Sequence, residues 1–149
     1  MKNHALVAAC IFVGVGTVLA DPVCDFTIEV GDAMRYSQEE MVAGTDCERI
    51  RVTLVHTGTL PDTLMGQNWV LARTSDLDGV AIDGMRAGAA NDFVKPGDGR
   101  VLAATELIGG GESTSVTFDP SDLSPDEDYS YFCTFPATWV FMQGRFILR

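Results

Sequence analysis

The stretch Cys133-Thr-Phe-Pro-Ala-Thr-Trp-Val-Phe-Met142 places a thiol and a thioether at the two ends of one short loop. The loop follows a strand-like run that begins at Tyr129 and leads into a last one, Arg145–Arg149. Soft sulfur ligands favour copper, and a β-sandwich can present them on such a loop between strands. We therefore interpret Cys133 and Met142 as candidate copper ligands, although no histidine lies between them.

The first twenty of the 149 residues differ from the rest. Lys2 gives a positive start, an apolar run follows, and Val18-Leu-Ala20 ends in small residues. This pattern predicts a secretory signal peptide over residues 1–20 and one domain over residues 21–149. A lipoprotein signal at Cys10 is less favoured, because the apolar region continues past that cysteine.

The charge of the chain limits its partners. Formal net charge is −11, and loss of residues 1–20 removes Lys2 alone among the charged residues, giving −12. Such a surface repels nucleic acid phosphates and anionic lipid. We therefore expect no nucleic acid partner and no membrane insertion after signal cleavage. The charge suits a soluble exported protein or docking to a basic partner.

The cysteine count predicts one disulfide. Without Cys10, three cysteines remain, which in an exported chain implies one bridge and one free thiol. Cys24 and Cys47 lie at the starts of two predicted strands, so we pair these two. Cys133 is then unpaired, and an unpaired thiol in an oxidising compartment is either buried or a ligand.

Short strands separated by turns predict an antiparallel β-sandwich with one helical flap. Alternating runs predict strands over 24–30 and 48–56, and a further extended piece lies around 34–36. Trp69 is the expected core anchor of the apolar segment 65–71. The flap spans 74–95, with Leu77, Val80, Ile82 and Met85 at roughly helical intervals. The runs 101–108 and 113–118 are predicted to form a hairpin about Gly109–Gly111.

Other functional motifs are weak. The Gly109–Gly111 run lacks the Lys-Ser/Thr of a phosphate loop, and Asp76-Leu-Asp-Gly79 is out of register for calcium. After signal removal only His56 remains as a histidine base, so a hydrolytic triad is excluded and we predict no enzyme. His56 itself is interpreted as a strand-end histidine in preference to a ligand, and the methionines as core residues in preference to a soft-metal surface.

From Cys24 to Arg149 the chain resembles the azurins, bacterial blue-copper electron carriers of the cupredoxin class. The matching runs are His56–Pro61, Leu64–Leu71, Asp83–Met85, Leu107–Gly109, Ser115–Asp119 and Phe132–Pro136. The resemblance includes the Cys24–Cys47 pair, which azurins bridge. It implies an all-β, cupredoxin-like Greek-key sandwich and copper-dependent single-electron transfer in the periplasm.

The resemblance also implies a ligand set, from which this chain departs. Cys133 matches the copper thiolate, Met142 the axial sulfur and Gly66 a carbonyl ligand. The two histidine positions are occupied by Gln67 and Thr138, whose neutral side chains are poor substitutes for imidazole. The two sulfur ligands of the centre are thus kept, and soft sulfur suits Cu(I). We therefore expect either Cu(I) held by Cys133 and Met142 or copper in an altered site that still carries electrons.

The resemblance further implies a docking surface for a redox or other periplasmic protein partner. We call this surface the apolar collar; its residues are Met34, Leu60, Leu64, Met65, Phe135, Pro136 and Ala137. Asn68 and Thr134 match residues that brace the ligand loops. The alternative function is a metal-free binding module that uses the same collar.

Overall fold

The computed structural model describes residues 23–149, so the predicted signal peptide lies outside the described residues. Eight strands account for most of the regular structure: β1 Val23–Val30, β2 Glu40–Ala43, β3 Arg49–His56, β4 Val70–Arg73, β5 Ala103–Ala104, β6 Ser113–Phe118, β7 Tyr129–Phe132 and β8 Gln143–Leu148. Two α-helices, α1 Asp62–Met65 and α2 Leu77–Ala87, and three short 3₁₀ turns complete the elements. No helix within residues 23–149 is long and apolar enough to cross a bilayer.

The strands form two sheets, which confirms the predicted β-sandwich. One sheet has the order β1-β3-β6 and the other β2-β8-β7-β4-β5. The pairing is mixed, however, because β1 runs parallel to β3 and β2 runs parallel to β8. After β1 the chain crosses to the second sheet for β2 and returns for β3, so β1 and β3 point the same way. The expectation of wholly antiparallel sheets is corrected at these two pairs.

Alternating side chains of the strands build the core between the sheets. Ile50, Val52 and Leu54 of β3 are fully buried, as the alternation predicts. Trp69 is also fully buried, and its ring stacks on Tyr131 at a centroid distance of 5.9 Å. The core anchor predicted from the sequence is therefore confirmed.

The flap is an 11-residue helix, α2. Its buried residues are Leu77, Val80, Ala81 and Gly84, which recur at positions i, i+3, i+4 and i+7. Ile82 and Met85, which were expected on the same face, are exposed. The helical period places those two side chains on the outer side.

The predicted hairpin over 101–118 is wrong. Only Ala103–Ala104 is a strand in the first run, and it pairs with β4 of the larger sheet. The second run, β6, pairs with β3 of the smaller sheet. The intervening glycines pack on the neighbouring loop, where the Gly110 N–H donates to Leu60 O at 2.8 Å. A Cβ on Gly110 would lie 2.6 Å from Gly58 O, so this close approach requires glycine. Because β5 and β6 lie in different sheets, the segment carries the chain between the sheets.

The cysteines are arranged as predicted. Cys24 and Cys47 form a disulfide across 23 residues of sequence. Cys133 is the free cysteine among residues 23–149, and it is buried.

Candidate metal centre

The loop from Cys133 to Met142 is closed by its own backbone. The Cys133 N–H donates to Met142 O at 3.1 Å, and the Met142 N–H donates to Thr138 O at 2.8 Å. The Cys133 side chain is 0% exposed and that of Met142 is 1% exposed. Both residues belong to the main core cluster, so the two sulfur atoms lie in a dry environment.

A second loop brings Gly66 and Gln67 to the same place. Helix α1 ends at Met65, and Gly66 follows it; an added Cβ on Gly66 would lie 2.6 Å from Asp62 O and 2.8 Å from a Leu107 methyl. Position 66 therefore requires glycine, because its backbone packs closely against these two residues. Gln67 then pairs with Ile108 through two backbone hydrogen bonds of 2.9 Å each. These two hydrogen bonds fix the position of the Gln67 backbone and therefore the point from which its side chain extends.

The Gln67 side chain is fully buried against Cys133. The Cys133 thiol donates to Gln67 Oε1 at an Sγ–Oε1 distance of 3.4 Å. Within residues 23–149, Gln67 Nε2 is buried and has no hydrogen-bond partner. A buried amide N–H without a partner costs about 1–3 kcal/mol. This unsatisfied group adjoins the candidate ligand thiol.

Thr138 is engaged with the backbone of its own loop. Its hydroxyl lies 3.1 Å from Cys133 O and 2.8 Å from Phe135 O, to which it donates. A hydroxyl has only one proton, so the two carbonyls share it. The side chain is buried and stabilises the turn that returns the chain towards Met142.

The surroundings of the Cys133 thiol act in opposite directions. Burial raises the pKa of the thiol, because a buried thiolate loses its hydration. The nearby Thr138 hydroxyl and the backbone N–H groups of Asn68 and Phe135 lower this pKa. Burial is the larger effect, so the thiol is protonated at neutral pH.

Asn68 ties the two loops together. Its Oδ1 accepts from Thr134 N at 2.9 Å, and its Nδ2 donates to Thr134 Oγ1 at 2.7 Å and to Asp92 O at 2.8 Å. The buried Tyr36 hydroxyl donates to Asn68 O at 2.5 Å. The bracing proposed for Asn68 and Thr134 has this geometric basis. The contributions of Tyr36 and Asp92 had no signal in the sequence, since both arise from tertiary contacts.

His56 has both ring nitrogens occupied. Nδ1 accepts from the Gly58 N–H at 3.0 Å, so Nε2 carries the proton and donates to Met65 O at 3.3 Å. The ring is 1% exposed. This arrangement matches a structural strand-end histidine.

The residues of the apolar collar lie on the loops around this site. All seven are at least partly exposed, and Leu64 is 65% exposed. Phe135 packs edge-on against Phe93 at 5.4 Å, which anchors this side of the surface. Val140 and Phe141, 68% and 57% exposed, extend the apolar surface and were missed in the sequence. Both residues lie directly before Met142, and this proximity to a candidate ligand could have identified them in the sequence.

The donors around Cys133 include soft sulfur atoms as well as oxygen atoms. Two sulfur atoms, the Gly66 carbonyl and the Gln67 amide are the groups that these loops offer. Residues 23–149 contain no cluster of three or more His, Cys, Asp or Glu side chains that could hold a metal. The residues present do not fit Cu(II) in a two-imidazole centre, and they fit Cu(I), for which thiolate and thioether are preferred ligands.

Comparison with known proteins supports one family. The family described as copper binding proteins of the plastocyanin/azurin family matches residues 22–149. An azurin of Achromobacter denitrificans is 54% identical over 121 residues, covering 81% of each chain. An azurin of Alcaligenes faecalis is 49% identical over 121 residues, covering 81% of this chain and 94% of the relative.

A solved structure of the same kind matches the fold. It is azurin Az-iso2 of the methylotroph Methylomonas sp. strain J, with a TM-score of 0.82 and 47% identity. The match covers 85% of this chain and 98% of that one. With the family description over residues 22–149, these similarities show that the chain belongs to the plastocyanin/azurin family of copper-binding proteins.

Proposed function

We propose that this chain is an exported, periplasmic copper protein whose centre holds the reduced ion. Cys133 and Met142 are the sulfur ligands in this proposal, with the Gly66 carbonyl as a weaker third donor. Membership of the family implies copper-dependent electron transfer rather than enzymatic catalysis. One-electron transfer is the chemistry that copper supplies when bound.

The observation that carries the proposal is the pair of neutral oxygen groups that lie near a buried thiol. Gln67 Oε1 lies 3.4 Å from Cys133 Sγ, and the Thr138 hydroxyl lies 3.1 Å from Cys133 O. We infer that these residues occupy the two histidine positions of the family. Cu(II) prefers imidazole, whereas Cu(I) is satisfied by thiolate and thioether. Preferential binding of the reduced ion raises the reduction potential of bound copper.

The exposed surface around the site supports a protein partner. The apolar collar, with Val140 and Phe141 beside it, forms an apolar area on an otherwise acidic protein. Large exposed apolar areas of soluble proteins mark interaction sites. We propose that a redox partner docks here. The metal-free module is the less favoured alternative, because the chain keeps the family's sulfur ligand positions.

The test is an anaerobic titration of the purified protein with Cu(I) in competition with a chromophoric chelator. We expect one equivalent to bind, Cys133→Ser to abolish binding, and Met142→Leu to weaken it. Met41→Leu is the matched control, since Met41 is an equally buried methionine on β2. Its substitution should leave Cu(I) affinity unchanged.

Two results would contradict the proposal. The first is a wild-type protein that takes up neither Cu(I) nor Cu(II). The second is the intense thiolate-to-copper colour of a blue site when Cu(II) is added, which would show that Gln67 and Thr138 do not impair the centre.

A further inference from the structure

The hydrogen bonding of the Gln67 amide at the candidate site is incomplete; among the described residues the buried Trp69 indole N–H is the other side-chain group of this kind. One end contacts Cys133 Sγ at 3.4 Å, and the other end has no partner among the described residues. The side chain is 0% exposed, so bulk solvent does not reach it. Buried polar groups of native proteins are usually satisfied, and an exception of this kind calls for an explanation.

The direction of this contact depends on what the sulfur carries. A thiol donates its proton, so Gln67 presents Oε1 and leaves Nε2 unsatisfied. When a metal replaces that proton, the sulfur can only accept, and Oε1 would face a thiolate. Rotation of the amide about its terminal bond then places Nε2–H towards the sulfur. The two amide ends have nearly the same shape, so the exchange needs no repacking.

We propose that Gln67 is a positioning residue for the Cu(I)-bound state, in which its amide turns and donates Nε2–H to the Cys133 thiolate. This inference rests on the proposed Cu(I) function. Gln67 Oε1 now contacts the sulfur at 3.4 Å, so the turned amide would place an N–H donor beside it. Hydrogen bonds to a ligating sulfur tune its donor strength and the reduction potential of copper.

The proposal predicts opposite effects of one substitution. Gln67→Leu keeps the side-chain volume but removes both amide ends. In the metal-free protein it deletes the unsatisfied N–H, so the Tm should rise by a few degrees. In the Cu(I)-bound protein it deletes a hydrogen bond to sulfur, so Cu(I) affinity should fall about 10–100-fold. A residue with only a packing role would not move the two quantities in opposite directions.

The control is Gln38→Leu, at an exposed glutamine whose amide donates to Thr27 O. This variant should leave Cu(I) affinity unchanged. A second measurement follows the side-chain amide of Gln67 by NMR, which is practicable because Cu(I) is diamagnetic. Its N–H signals should move downfield when one equivalent of Cu(I) is added.

The possible outcomes separate this inference from the proposed function. If wild type binds no Cu(I), both fail. If wild type binds Cu(I) and Gln67→Leu binds equally well, or if the amide signals stay in place, the role of Gln67 is overturned while the copper function stands. A Gln67→Leu protein that is no more stable than wild type also overturns it, because the unsatisfied N–H would then carry no cost.

Discussion

Ala137 has a backbone conformation that its side chain disfavours. Its φ is 63°, and it follows Pro136 in a turn that the Thr138 N–H closes on Phe135 O at 3.0 Å. Proline at the second position and a positive φ at the third are the features of a type II turn, which favours glycine there. The left-handed conformation costs an alanine about 1–2 kcal/mol.

Ala137→Gly should therefore stabilise the protein. Relief of the left-handed strain outweighs the larger chain entropy of glycine, for a net gain of up to about 1 kcal/mol. Urea unfolding followed by tryptophan fluorescence measures this change. Ala33→Gly is the control, since Ala33 is exposed and has no positive φ, and it should lose a little stability. Equal losses in both variants would refute the strain at Ala137.

Gln67 and Thr138 can also be tested together. If only the imidazoles were lost, Gln67→His with Thr138→His should restore a blue Cu(II) centre, because the bracing by Asn68 and Thr134 is intact. Visible absorption and electron paramagnetic resonance after Cu(II) addition would report it. Each single histidine variant is the control and should give a weaker or unstable centre. A colourless double variant would show that the loops themselves have changed.

At the scale of residues, the sequence predicts which positions form the candidate site but not the contacts between them. Cys133, Met142, Gly66, Gln67 and Thr138 all follow from the family resemblance of the sequence alone. The incomplete hydrogen bonding of Gln67 is not predictable in this way, because it depends on which side chains meet across two loops.

The segments around α2 are held by ion pairs as well as by packing. Arg100 Nη2 lies 2.6 Å from Asp98 Oδ2 and 2.7 Å from Asp83 Oδ2, linking α2 to the following loop. The hydrogen bond from Arg100 lowers the pKa of Asp98 from 3.8 to about 2. The Asp98 side chain is only 6% exposed, so solvent screens this pair less than a surface pair.

Because the pKa of Asp98 is lowered, its contribution to the free energy of unfolding depends on pH. The carboxylate stabilises the folded state above pH 3.8, and this contribution is lost as pH falls from 3.8 to about 2. Compared with Asp98→Asn, wild type should be more stable at pH 7 by on the order of 1–2 kcal/mol, and this advantage should vanish near pH 2.

Urea unfolding of both proteins at several pH values checks this expectation. Asp78→Asn is the control, because Asp78 is exposed on α2 and forms no ion pair within residues 23–149. A stability difference between wild type and Asp98→Asn that is constant from pH 7 to pH 2 would exclude the ion pair as its source.

At the scale of elements, local patterns predicted strands but not their partners. β1 and β3 follow from strict alternation, and α2 from its apolar spacing. The hairpin over 101–118 failed because Gly109–Gly111 satisfies the criteria for a local turn equally well when it carries the chain between sheets. β2 was missed because its polar start at Glu40 hides the short pattern of Met41 and Ala43.

At the scale of the whole molecule, the Cys24–Cys47 disulfide and the candidate metal centre lie at opposite ends of β1 and β3. Cys24 is the second residue of β1 and Cys47 lies two residues before β3, while these strands end at Val30 and His56, next to the loops of the site. Six residue steps from Cys24 to Val30, at about 3.3 Å each, put the disulfide roughly 20 Å from that strand end. The sandwich fold between them was predictable from the sequence, because alternation and turn spacing determine how many strands the chain can form.

Removal of the disulfide should therefore weaken the scaffold and spare the site. In the chain-entropy description, a crosslink that closes a loop of this length, 23 residues apart, stabilises by about 3 kcal/mol. Cys24→Ala with Cys47→Ala should lower the free energy of unfolding by about that amount, as measured in urea.

Cu(I) affinity of this variant should stay within about twofold of wild type, because the loops of Cys133 and Gln67 are braced by Asn68 and not by the crosslink. The matched comparison is Asn68→Ala, which should lower Cu(I) affinity at a smaller cost in stability. If the cysteine-free variant lost copper binding while still folded, the two ends would be coupled through the strands, and the site could not be treated as an independent feature of the scaffold.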